Sequence, residues 1–92
     1  MSPVTQTLTR TVEVRYFAAA RSAAGRDAET LEIAAGTTIA GLAALLTERN
    51  GPEFARVVGR CSYLLDEVAV RDHDRELPEG AVVDVLPPFA GG

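Results

Sequence analysis

Alternation of apolar and polar residues predicts five β-strands along this 92-residue chain. The stretches that alternate, or that are rich in β-forming residues between turn signals, are residues 12–18, 29–33, 61–65, 68–70 and 81–86. In the first stretch Val12, Val14 and Tyr16 share the predicted core face, whereas Phe17 falls on the opposite face. We therefore expect Phe17 to be exposed and available for an apolar contact with a partner.

A different period predicts the main helix. Ile39, Leu42 and Leu46 recur on one face of a helix, and Thr37 or Thr38 is suited to be its N-cap. An apolar stripe of this width predicts a helix packed against one face of a sheet.

Glycines bound or interrupt the predicted helices. Gly51, followed by proline, is typical of a helix end, and Gly25 would close a short helix over residues 19–24. Another short helix is predicted over residues 53–59. Gly41 lies inside the main helix, where it would mark a close approach of the helix to the sheet.

These elements predict one α+β domain with a helix on one face of a sheet. We place the domain at residues 12–86. A polar, threonine-rich segment, residues 1–11, precedes it as a flexible N-terminal extension. A C-terminal tail, residues 87–92, follows the last strand.

The composition and the net charge limit the classes of function that we expect. There are 9 basic and 13 acidic residues, a net charge of −4, which disfavours nucleic-acid binding and suits partners with basic docking faces. The single cysteine, Cys61, forms no intramolecular disulfide, so we expect a reducing, cytoplasmic environment. Residues 1–10 lack the apolar core of a signal peptide, and no apolar run is long enough for a membrane span.

The tail is the most informative stretch, because it reads Pro-Pro-Phe-Ala-Gly-Gly. Pro87 and Pro88 have no backbone N–H and favour an extended arm. Fully extended, residues 87–92 would reach roughly 20 Å. Gly91 and Gly92 have no Cβ, so the tip would enter a narrow channel. We predict that the carboxylate of Gly92 is the functional group.

The other polar residues give weaker indications of a catalytic or metal-binding site. Cys61 lacks a nearby histidine in the sequence, and we expect an ordinary thiol in the core or half-buried. His73 is the only histidine, and we expect a solvated loop residue. Residues 72–76 begin like a calcium loop, but Leu77 and Val83 stand where that loop needs glycine and glutamate. We therefore expect no metal site and no bound cofactor.

Two stretches resemble a known family. They are Tyr-Phe-Ala-Ala-Ala-Arg at residues 16–21 followed by Gly25, and Leu-Pro-Glu-Gly at residues 77–80 with Val-Asp-Val-Leu-Pro-Pro-Phe-Ala-Gly-Gly at residues 83–92. Together they resemble the MoaD/ThiS family of ubiquitin-like sulfur carriers, and in particular its MoaD group, small subunits of molybdopterin synthase. The resemblance implies a β-grasp fold whose first and last strands are adjacent and parallel. Asp66-Glu67 departs from the Asn-Gln turn of the family.

The resemblance also implies a chemistry for the tail. A MoeB-like enzyme would adenylate Gly92 with ATP, and a sulfur donor would convert the adenylate into a thiocarboxylate. A MoaE-like large subunit would then receive the tail, and the thiocarboxylate would attack cyclic pyranopterin monophosphate during molybdenum cofactor biosynthesis. The chain would not be catalytic alone. The residues that would contact the partner are Phe17, Leu86, Pro87, Pro88, Phe89, Ala90 and Gly91.

Alternative functions remain open from the sequence. A carrier of this type could instead serve thiamine or cysteine synthesis. A ubiquitin-like modifier would end in an isopeptide bond to a lysine, and an interaction domain would have an inert tail. The product formed at Gly92 separates these possibilities.

Overall fold

The structure is a computed structural model, and it describes residues 8–88. The described elements, in chain order, are β1 (Thr9–Tyr16), α1 (Ala18–Ala24), β2 (Ala28–Ala34), α2 (Ile39–Asn50), α3 (Pro52–Val58), β3 (Ser62–Leu65), β4 (Val68–Ala69) and β5 (Val82–Leu86). The strands form one sheet in the order β2-β1-β5-β3-β4. β1 is parallel to β5, and the other neighbours are antiparallel. The predicted α+β architecture, with adjacent and parallel first and last strands, is confirmed.

The core lies between the sheet and the helices. Ile39, Leu42 and Leu46 of α2 are fully buried, which confirms the predicted stripe. Such burial stabilises the fold by about 1.5–3 kcal/mol for each large side chain. From α3, the ring of Phe54 packs edge-on against Tyr16 of β1, with centroids 5.7 Å apart. The inward residues of the strands complete the core: Val12, Val14, Leu31, Ile33, Tyr63, Leu65, Val83 and Val85.

β1 begins three residues earlier than the sequence predicted. Thr9 pairs with Ala34 of β2, and the backbone N–H of Gly80 donates to the carbonyl of Thr11 at 2.8 Å. Residues 9–11 are therefore part of the sheet and not a loose extension. The apolar pattern missed them because Thr-Arg-Thr has no apolar residue, although β-branched threonine favours strands.

The start of α2 confirms one prediction and corrects another. Thr38 is the N-cap, and its Oγ1 accepts a hydrogen bond from the backbone N–H of Gly41 at 3.1 Å. Gly41 is exposed, so it does not mark a close approach to the sheet. A Cβ at Gly41 would instead lie 3.3 Å from Cγ2 of Thr37, in the segment that caps the helix.

Two turns fix the strands beside β5. The turn before β5 covers residues 78–81, since the N–H of Ala81 donates to the carbonyl of Pro78 at 3.2 Å. Between β3 and β4, the two-residue turn Asp66-Glu67 has positive φ angles of 49° and 72°. Turns with two positive φ values follow the right-handed twist of the paired strands, although the usual residues there are Asn and Gly.

Candidate functional site

β5 leads directly into the tail. It lies between β1 and β3, with Val83 and Val85 fully buried. Leu86 is its last residue, paired with Ser62 of β3. Because two prolines follow and neither has a backbone N–H, the ladder cannot continue past Leu86. We refer to residues 85–88, where the chain leaves the sheet, as the tail root.

Phe17 lies beside the tail root. Its backbone N–H donates to the carbonyl of Val85 at 3.2 Å. β1 ends at Tyr16, so Phe17 is the N-cap of α1 rather than a strand residue. The chain turns into α1 at Ala18, which has a positive φ of 52°. The side chain of Phe17 is 40% exposed, which confirms the predicted exposure; its contact with a partner stays a prediction.

Exposure increases along the tail root. Leu86 and Pro87 are half-buried, and Pro88 is exposed. The structure therefore brings Phe17, Leu86 and the two prolines together at the carboxyl end of β5. The remaining predicted tail residues, Phe89, Ala90, Gly91 and Gly92, lie outside the described residues.

An ion pair on the outer face of the sheet was missed by the sequence reasoning. Arg15 of β1 and Asp84 of β5 are opposite each other in the parallel register. The guanidinium binds the carboxylate through two hydrogen bonds, Nε to Oδ1 at 2.6 Å and Nη2 to Oδ2 at 2.9 Å. Asp84 is only 5% exposed, and on its other side it pairs with Leu64 of β3. Hydrogen bonding to Asp84, and then its charge, raise the pKa of Arg15.

A signal for this pair was present in the sequence. Asp84 interrupts an otherwise apolar strand, between Val83 and Val85. A buried carboxylate needs a partner. That the partner is Arg15 follows only once β1 and β5 are known to be parallel and in register.

A shallow cleft lies beside Arg15. It has a volume of about 200 Å³ and is lined by Arg15, Asp66, Glu67 and Val82. Asp66 connects the β3–β4 turn to β5, since its Oδ1 accepts the N–H of Val82 at 3.0 Å. The cleft therefore lies between the β3–β4 turn and the outer face of the sheet.

The contacts of Cys61 and His73 indicate structural roles for both residues. Cys61 is half-buried, its Sγ donates to the carbonyl of Val57 at 3.3 Å, and burial raises the pKa of the thiol. A raised pKa leaves little reactive thiolate at neutral pH. The ring of His73 packs edge-on against Tyr63, with centroids 5.5 Å apart. Within residues 8–88, no three His, Cys, Asp or Glu side chains group closely enough to hold a metal.

Among the helices within residues 8–88, none combines the length and the apolar character needed to cross a lipid bilayer.

Comparison with known proteins gives a family match over most of the chain. The model of the ThiS family matches residues 14–92, from within β1 to the end of the tail. A relative from Chlamydomonas reinhardtii, named molybdopterin synthase sulfur carrier subunit, is 33% identical over 82 residues. That alignment covers 88% of this chain and 98% of the relative.

Solved structures have the same fold. Molybdopterin converting factor subunit 1 from Pyrococcus furiosus superposes with a TM-score of 0.78 at 30% identity, covering 87% of this chain and 99% of that one. A Helicobacter pylori protein–protein complex of subunits 1 and 2 of molybdopterin-converting factor contains a chain that superposes with a TM-score of 0.66 at 24% identity. That alignment covers 89% of this chain and 99% of the other.

Proposed function

Because this chain belongs to the ThiS family, we propose that it is the sulfur-carrier subunit of a molybdopterin synthase. The relative from Chlamydomonas reinhardtii has this name, and 98% of its length is aligned here. The Pyrococcus furiosus structure named as a molybdopterin converting factor subunit supports the same choice within the family.

One structural observation carries the proposal. The central strand β5 ends at Leu86 and passes at once into Pro87 and Pro88, with the exposed Phe17 beside it. A fold that holds the start of its tail in the middle of a sheet gives the following residues a rigid base. Two prolines then stiffen the arm, so less conformational entropy is lost when a partner binds it.

The carboxylate of Gly92 must be activated before it can carry sulfur, because oxide is not a leaving group. In the proposed sequence a MoeB-like enzyme joins the carboxylate to the α-phosphate of ATP and releases pyrophosphate. A sulfur donor, acting as an equivalent of hydrosulfide, then attacks the acyl carbon and AMP leaves. The product is a thiocarboxylate, an anionic sulfur nucleophile.

The thiocarboxylate acts in the second subunit. We propose that a MoaE-like large subunit binds the tail and holds cyclic pyranopterin monophosphate as the sulfur acceptor. The sulfur of the thiocarboxylate attacks a carbon of the pterin side chain, and the carbon–oxygen bond at that carbon breaks, so that the oxygen leaves on the opened phosphate or as water. A second water molecule then cleaves the acyl–sulfur bond, leaves the sulfur on the pterin and restores the carboxylate of Gly92. A dithiolene has two sulfur atoms, so the cycle is completed twice.

This chain contributes the acyl group and its placement, while the acid and base groups belong to the partner. Gly91 and Gly92 pass through a narrow channel because they have no Cβ. Phe89 and Phe17 are aromatic contacts at the channel entrance, and Leu86 extends that contact. The protein needs no bound cofactor of its own, and ATP is a substrate of the activating enzyme. We place the reaction in the cytoplasm, where ATP is available.

Reconstitution tests the proposal. The protein is purified from native extract, and the proteins that bind it are identified. The thiocarboxylated protein is then mixed with the MoaE-like subunit and cyclic pyranopterin monophosphate, and molybdopterin is measured. Formation of molybdopterin supports the proposal. Transfer of sulfur only to a thiamine or cysteine precursor, or an isopeptide bond to a lysine, contradicts it.

A further inference from the structure

We propose that Arg15 and Asp84 are positioning residues that fix the tail root against β1. This inference rests on the proposed function, because it concerns the arm that delivers the acyl group. The pair joins the two parallel strands on the outer face, two residues before β5 ends at Leu86. It is thus a side-chain connection beside the point where the tail leaves the sheet.

The pairing of β1 with β5 ends at a backbone hydrogen bond from the N–H of Phe17 to the carbonyl of Val85, at 3.2 Å. At the other end of the same pairing, the N–H of Glu13 donates to the carbonyl of Ala81 at 2.9 Å. Ends of elements open more readily than their middles. The Arg15–Asp84 pair, which we call the clamp, therefore lies near the end of the β1–β5 pairing, where backbone hydrogen bonds open most readily.

The geometry of the pair suits a clamp. A bidentate Arg–carboxylate contact restrains both distance and orientation, which a single hydrogen bond does not. The carboxylate of Asp84 is 6% exposed, so water does not compete freely for it. An ion pair between a buried carboxylate and a half-exposed guanidinium adds little net stability compared with apolar residues of the same size. The reason for a charged pair at this position is therefore better sought in orientation than in stability.

Orientation at the tail root matters for the reaction. If Val85 and Leu86 detach from β1, the arm becomes longer and more flexible, and its tip spends less time at the acceptor. Displacements of about 1 Å are enough to slow an enzymatic step about a hundredfold. Neither Arg15 nor Asp84 is one of the proposed docking residues, so binding to the large subunit is affected less than the transfer that follows.

Hydrogen exchange and transfer kinetics test the inference together. Asp84→Asn keeps the size of the side chain and removes its charge, whereas Arg15→Lys keeps the charge and removes the two-point contact. We expect exchange at the Phe17 amide to rise about tenfold relative to the Glu13 amide in both variants. We also expect the rate of sulfur transfer at saturating large subunit to fall about fivefold, with less than about a twofold change in the half-saturating concentration.

A matched control variant distinguishes the loss of a charge at the tail root from the loss of a charge elsewhere on the sheet. Glu79→Gln makes the same change of charge at the opposite end of β1, where Glu79 accepts the N–H of Thr11 at 2.9 Å. It is expected to change neither the exchange ratio nor the transfer rate.

Two other outcomes overturn the inference. An unchanged ratio of Phe17 to Glu13 exchange in Arg15→Lys, which retains the charge and should fold, shows that the pair does not hold the tail root. A raised ratio with unchanged transfer shows that this end of β5 need not be fixed. If the wild-type protein transfers no sulfur, the proposed function fails instead, and the exchange ratio still decides whether the clamp exists.

Discussion

Phe17 donates its backbone N–H to the carbonyl of Val85, at 3.2 Å, and so an exposed aromatic side chain lies beside the start of the tail. The two residues are far apart in the sequence and meet because β1 and β5 are parallel neighbours. A partner that binds residues 85–88 would therefore lie close to this side chain.

We predict that Phe17→Ala weakens binding to the large synthase subunit about tenfold, because an aromatic contact at the centre of an interface is lost. The free energy of unfolding should change by less than about 1 kcal/mol, since the side chain is 40% exposed. Titration calorimetry and chemical denaturation measure the two effects. Val68→Ala is the matched control, because Val68 is 63% exposed on the edge strand β4. Equal affinities of the two variants would remove Phe17 from the interface.

A buried carboxylate gives a stability prediction. Glu29, whose side chain is 8% exposed, accepts hydrogen bonds from the hydroxyl of Tyr16, from Arg26 at 3.1 Å and from Arg49 at 3.0 Å. Tyr16→Phe should lower the free energy of unfolding by about 1.5–3 kcal/mol, the usual contribution of a hydrogen bond to a charged group. Chemical denaturation measures the change.

The control for this prediction is an exposed bond of the same kind. Thr9→Val removes a surface hydroxyl that donates to Glu32 at 3.2 Å. We expect almost no change in the free energy of unfolding. A loss in Tyr16→Phe no larger than in Thr9→Val would show that the Glu29 network adds no stability.

Alkaline pH should destabilise the fold through Tyr63. Burial first, and then the neighbouring Cys61, raise the pKa of Tyr63 from 10.0 to about 12. The folded state thus holds its proton more tightly than the unfolded state does, so the stabilisation is complete below pH 10.0 and is lost as pH rises to about 12. The loss should be about 2–3 kcal/mol.

Denaturation at a series of pH values, with tyrosinate absorbance followed in parallel, checks this result. Burial also raises the pKa of Tyr16, so absorbance should appear together with unfolding and not before it. The decrease in the free energy of unfolding with rising pH should be smaller in Tyr63→Phe. A free energy of unfolding that stays constant through pH 12 is the opposite outcome.

Deletion of Gly92 should abolish sulfur transfer and leave the melting temperature unchanged, since it removes the proposed acyl group from beyond the sheet. Calorimetry and the transfer assay are run on the same sample. Transfer by the shortened protein at the wild-type rate would assign the sulfur to another group.

The sequence predicted those parts of the fold that depend on local pattern. Ile39, Leu42 and Leu46 have the spacing of one helical face, and Thr38 has the chemistry of an N-cap. The prediction of Gly41 as a contact with the sheet was wrong, because a small residue in a helix does not reveal what lies beside it.

Features that depend on distant pairing escaped prediction. The early start of β1 at Thr9 depends on pairing with Ala34, and the Arg15–Asp84 contact joins residues 69 positions apart. For the site, the end of the last strand at Leu86 and the exposure of Phe17 could be predicted from the sequence. The clamp beside the tail root could not, since it requires the register of two parallel strands.

The intact mass of the protein tests the central claim most directly. After incubation with the activating enzyme, ATP and a sulfur donor, replacement of oxygen by sulfur at Gly92 adds about 16 Da. The same gain is expected in Cys61→Ala, whereas a persulfide on Cys61 would instead add about 32 Da and disappear in that variant. A gain of about 16 Da that maps to the C-terminal peptide and is absent after deletion of Gly92 is the predicted result. No gain with an enzyme of proven activity, or a gain that survives the deletion, would contradict the account.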